Sequence, residues 1–158
     1  MQYNKKKHLE LLKKSNESLS IDSTCFIADE NSLELLSYSI MMVSHFHWEN
    51  RYEYFKLIEK LLNGPISFED LTEKYEAINK AVEALQAELI VLEPDPKSEG
   101  FVDLIDQLVA AWDEYYENNY CLDPLDRDPD LSESQEFSEE ELKKFIQNIF
   151  IQMKDGYP

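Results

Sequence analysis

Acidic side chains are the chemistry most visible in this sequence. Asp113-Glu114 with Glu117 places carboxylates one helical turn apart, a spacing at which a hydrolase could hold a general acid and a general base. In a chain of 158 residues with 33 acidic ones such pairs arise by chance, and no serine-histidine, cysteine-histidine or phosphate-loop pattern accompanies them. The carboxylates therefore do not argue for an enzyme. His45 and Glu49 could share a cation across one helical turn, with His47 pointing elsewhere, but two ligands do not make a site and HExxH is absent. The stretch Asp126-Arg127-Asp128-Pro129-Asp130 has the alternating carboxylates that open a calcium loop. Its sixth position would be Leu131, where the turn needs glycine, and its twelfth Phe137, where a bidentate glutamate belongs. The expectation is no metal and no cofactor. Cys25 and Cys121 lack CxxC spacing and read as reduced thiols, with a single bridge between them left open.

A formal net charge of −18 sets the partner class. Proteins gain affinity for nucleic acid by setting Lys and Arg against phosphates, so direct docking on DNA, RNA or an anionic membrane carries the wrong sign here. The charge is also uneven. Residues 93–141 hold 17 acidic and 2 basic side chains, a net of −15, whereas residues 1–92 come to −5 and residues 142–158 to +2. One reading of this tract is a solvated face that keeps the protein soluble. The other is a surface shaped for a basic protein partner, and Tyr115, Tyr116 and Tyr120 favour it, because aromatics among carboxylates combine steering charge with interface anchors.

The elements that carry these residues are expected to be helices. Three glycines leave little material for tight hairpins or phosphate loops. A first, basic amphipathic segment runs from about Asn4 to Leu19 with Leu9, Leu12 and Leu19 on one side; its shortness suggests loose attachment. Asn31, with Glu34 three residues on, reads as an N-cap, followed by Leu33, Leu36, Ile40 and Val43 and then Trp48, Tyr52, Phe55, Ile58, Leu61 and Leu62. Asn63-Gly64-Pro65 ends that pattern. Ser67 opens a capping-box-like start to a face of Leu71, Tyr75, Ile78, Val82, Leu85 and Leu89. A further helix is expected from Ser98 or Glu99 to Asn118, with Val102, Ile105, Leu108, Val109, Trp112, Tyr115 and Tyr116 as its stripe. Ser138-Glu139-Glu140-Glu141 reads as a capping box before Leu142, Phe145, Ile146, Ile149, Phe150 and Met153. The pattern predicts an all-α fold, an antiparallel four-helix bundle with an additional N-terminal helical segment. The domains expected are a basic extension over 1–30 and an acidic bundle over 31–158. No apolar run approaches the length of a membrane span, and no apolar core follows the charged start as a signal peptide requires, so the expected location is the cytoplasm.

From about Tyr54 to Met153 the chain resembles the colicin-D-like bacterial self-protective immunity proteins, small acidic helical bundles that neutralise a nuclease toxin. The resemblance is carried by Phe55-Lys56-Leu57-Ile58, by Gly64-Pro65-Ile66-Ser67-Phe68-Glu69-Asp70-Leu71 and Tyr75, and by Leu104 to Tyr115. It continues through Asp123-Pro124, the loop from Asp126 to Asp130, and Phe137 to Leu142. It implies a bacteriocin-immunity function in which acidic residues occupy the positively charged cleft where the toxin would receive RNA. The partner-binding residues so implied are Asp106, Asp113, Glu114 and Glu117 on the penultimate helix, and Asp123, Asp126, Asp128 and Asp130 on the loop after it. The first 50 residues, with their lysine cluster, depart from the compact family pattern. A different class of function is a structural or assembly adaptor, whose interface would be the aromatic face from His45 to Phe55, with Trp48 and Tyr52 at its centre.

Overall fold

The computed structural model of the chain describes residues 2–18, 30–64, 67–120 and 138–158. Their helices are α1 (Lys5–Ser18), α2 (Glu30–Glu49), α3 (Arg51–Asn63), α4 (Glu69–Ala87), α5 (Ser98–Tyr120) and α6 (Glu139–Gly156), and among the described residues there is no strand. The protein is an all-α helical bundle. Local chemistry explains several of the ends. Asn4 caps α1, its side-chain Oδ1 accepting from the Lys7 amide at 3.0 Å and its carbonyl from the His8 amide at 2.9 Å. The capping box of α6 is present as the sequence suggests. Ser138 Oγ accepts from the Glu141 amide, and the Glu141 carboxylate accepts from the Ser138 amide.

Other boundaries differ from the apolar pattern. The run expected from Asn31 to Leu62 is broken at Asn50, with no glycine or proline there. The Asn50 amide is shared between the carbonyls of Phe46 and His47, its side-chain Nδ2 donates to Phe46 O at 2.9 Å, and Lys74 Nζ donates to its Oδ1 at 2.6 Å. A short amide side chain thus satisfies the last carbonyls of α2 from within its own terminus. At the other end α2 begins at Glu30, so Asn31 lies inside the helix and does not cap it. The start of α4 also falls one residue later than Ser67 would place it. Phe68 O accepts the Thr72 amide at 2.8 Å, and the Thr72 hydroxyl donates back to the carbonyls of Phe68 and Glu69. Leu89 lies beyond α4 rather than on its face. The Ile90 amide reaches Leu85 O and the Leu89 amide reaches Gln86 O, a Schellman ending that puts Leu89 at φ 60°, the left-handed conformation usually given to glycine.

The chain forms two compact units, each assembled from two stretches. The first, Met1–Asn50 with Glu73–Glu99, buries His8, Leu11 and Leu12 of α1, Tyr38, Met42, His47 and Trp48 of α2, and Ile78 and Val82 of α4. α1 packs against α2. The face of α2 turned inward is not the expected one: Leu33, Leu36 and Ile40 are 55%, 57% and 54% exposed. α2 is apolar on opposite sides, and spacing alone cannot say which side finds a partner. The second unit, Arg51–Thr72 with Gly100–Pro158, buries Tyr54, Phe55, Ile58 and Leu61 of α3 together with one face each of α5 and α6. There the Phe55 ring meets those of Phe101 and Phe150 edge-on, and Lys154 of α6 donates to Glu59 of α3 at 2.7 Å.

Candidate functional site

The acidic tract acquires its geometry from α5. Phe101, Val102, Leu104, Ile105, Leu108, Ala111 and Tyr115 are buried, so burial of this apolar stripe fixes the helix by rotation and forces the remaining positions outward. Asp103, Asp106, Gln107, Ala110 and Asp113 are exposed. Asp106, Ala110, Asp113 and Glu117 follow one another at intervals of four, three and four, so they run along one side of the helix. α5 has no Lys or Arg in its 23 residues. Asp113 and Glu114 have no cation within ion-pair distance among the described residues.

Of the residues singled out from sequence, Asp106 and Asp113 stand in solvent, and Glu114 and Glu117 are half-buried at the flank. One carboxylate oxygen of Glu117, Oε2, is enclosed without a hydrogen-bond partner among the described residues. Asp123, Asp126, Asp128 and Asp130 lie outside the described residues, as do Cys25 and Cys121. Asp103 extends the same side of α5 by one turn and was not singled out; the three-residue step to Asp106 is the signal that would have found it. The tyrosines divide. Tyr115 is buried and belongs to the core, whereas Tyr116 is 48% exposed and sits one turn from Asp113 with its ring against Trp112. Trp112 is itself stacked on Phe68 at 4.7 Å between ring centroids, which gives the exposed tyrosine a rigid base. Glu117 occupies the last turn of α5, where the negative end of the helix dipole disfavours a carboxylate and no basic residue offsets it. Helix stability does not account for an acid at that position.

The histidine cluster has structural roles. His45 Nδ1 accepts from the backbone amide of Asp95 at 3.2 Å, tying α2 to the turn in which Asp95 Oδ1 accepts the Lys97 amide and Asp95 O accepts from Ser98. His47 is buried against Tyr75, with Nε2 3.4 Å from Asn79 Oδ1, and burial lowers its pKa to about 4 despite that hydrogen bond. Among the described residues no three His, Cys, Asp or Glu side chains converge as a metal site would require. Nor is the aromatic stretch a single exposed face: Trp48, Tyr54 and Phe55 are buried, and only Tyr52, under the Arg51 guanidinium, stands out.

No family model, curated protein or solved structure matches this chain. Among the described residues no helix is long and apolar enough to cross a membrane.

Proposed function

We propose that this chain is a toxin-immunity-like protein of the cytoplasm, without enzymatic activity, that binds a basic nuclease domain. Binding occurs through the acidic side of α5 and blocks the cleft that would receive RNA. The observation that carries the reading is one helix face on which Asp103, Asp106, Asp113 and Glu114 accompany an exposed Tyr116, with no cation anywhere along the helix. Carboxylates at helical spacing present negative charge at intervals comparable to those of phosphates, and a cationic cleft is the environment in which that charge is most favourable. Tyr116 on its Trp112 base supplies the desolvated anchor that long-range charge lacks. The colicin-D-like resemblance points to the same class of partner.

The test is titration of the full chain with basic ribonuclease domains at low and high salt. Tight association at low salt that weakens steeply as salt rises, together with inhibition of RNA cleavage, is the expected result. Absence of binding at low salt, or binding unchanged by charge reversal at Asp106, Asp113 and Glu114, would refute it.

A further inference from the structure

The groups that fasten α1 to α2 include one whose protonation the interface cannot accommodate. His8 is completely buried, its ring 5.2 Å from that of Tyr38 on α2 and edge-on to Tyr3 at 5.7 Å. Nδ1 shares a hydrogen bond of 3.1 Å with the Tyr3 hydroxyl. Nε2 is enclosed and has no hydrogen-bond partner among the described residues. The charged and titratable groups around it are committed elsewhere. Lys7, its neighbour on α1, pairs with Glu34 of α2; Glu34 also accepts from Tyr38 Oη at 2.7 Å; Glu93, from the segment after α4, acts on Tyr3. Among the described residues no carboxylate is therefore offered to the imidazole.

We propose that the α1–α2 contact is a pH-sensitive clasp, closed while His8 is neutral and opened by its protonation. A second proton either turns Nε2 into a buried N–H with no acceptor among the described residues, where Nδ1–H donates to Tyr3, or sets Nδ1–H against the Tyr3 hydroxyl hydrogen, where Nδ1 accepts; both place a positive charge among Tyr3, Tyr38 and the apolar side chains of Leu11 and Leu12. Released into water, the same imidazolium is fully hydrated. Burial already lowers the pKa of His8 from its ordinary value. The sign follows: the open form binds the proton more readily, so the clasp is at full strength above about pH 6.5 and weakens progressively below it. Opening frees residues 2–18, with the lysines of α1, and uncovers Tyr38.

Amide exchange of the full chain, read peptide by peptide and corrected for the intrinsic effect of pH, tests this. Between about pH 7.5 and about pH 5.5 the α1 peptides should lose about tenfold in protection while those of α6, which belongs to the other unit and holds no histidine, keep theirs. His8→Phe, which preserves the ring packing without a titratable nitrogen, should abolish that loss. The proposal is overturned if α1 stays equally protected at both values, if it loses protection in step with α6, or if His8→Phe shows the wild-type response. The ring resonances of His8 in the unmodified protein give an independent reading: a titration midpoint below about 6.5, the ordinary value of a histidine side chain, supports the clasp, and one at or above it excludes it.

Discussion

Two helices of the same unit, α5 and α6, are both rich in acid but use it in opposite ways. In α6 the glutamates stand in the first turn, at Glu139, Glu140 and Glu141, and the basic residue of the last turn is Lys154. That order complements the helix dipole, and Lys143 and Lys144 pair with Glu139 and Glu140 one turn away at 2.9 and 3.0 Å. Acidity in α6 is explained by the helix itself. In α5 the carboxylates extend into the C-terminal turn, no lysine or arginine shares the helix, and nothing in local stability requires them. The difference teaches that net charge alone does not identify a binding surface. A carboxylate that its own helix neutralises is structural, and one that its helix leaves uncompensated has to be explained from outside the helix.

The comparison is broken most directly by exchanging the two sets. Reversing Asp106, Asp113 and Glu114 to lysine should weaken binding to a basic nuclease domain by on the order of 1,000-fold. Reversing Glu139 and Glu140 should change binding far less. Equal losses from both sets, measured by titration calorimetry, would erase the distinction. The buried sides should behave alike where the exposed sides do not: Leu108→Ala in α5 and Ile146→Ala in α6, both fully buried, should each cost about 3 kcal/mol in denaturant unfolding. Ser138→Ala removes the α6 cap and should cost about 1 kcal/mol, seen as a fall in Tm. The cap also carries a pH signature. Hydrogen bonds from Ser138 hold the Glu141 carboxyl below its ordinary value of 4.5, so its contribution is present above that pH and fades as pH falls through the lowered value. The Tm difference between wild type and Ser138→Ala should shrink on the same descent. Smallest of all, Lys143→Ala should cost about 0.3 kcal/mol, because an exposed i, i+4 pair gains little.

Much of this contrast was legible before any coordinates. The spacing of Ile105, Leu108, Ile146, Ile149 and Met153 set the inward faces of α5 and α6, and Ser138 with Glu141 declared its capping box. The charge count located the acidic tract, and the helical period put Asp106 and Asp113 on one side of α5. What escaped is decided by tertiary partners. α2 has two apolar sides; Tyr38 and Met42 are buried, Tyr38 against His8 of α1, while Leu33, Leu36 and Ile40 are exposed. At Asn50 a continuous apolar rhythm hid a helix end made by one amide side chain. At Leu89 the rhythm ran on past the helix, because a leucine took the left-handed position that usually advertises itself as glycine. Tyr115 and Tyr116 are adjacent and chemically identical, and only the rotation of α5 assigns one to the core and the other to the surface.

The division of each unit into two separated stretches has a consequence for biosynthesis. Met1–Asn50 must wait for Glu73–Glu99 to complete its unit, and Arg51–Thr72 must wait for α6. At roughly 5–20 residues per second of translation, Tyr38 has its contact with α1 but not the rest of its unit for several seconds before α4 has emerged. The contact between α1 and α2 is local in sequence and can form during that interval. It therefore acts as a temporary cover for a nascent chain as well as a part of the finished one, and a ribosome paused near residue 72 would leave both units open at once.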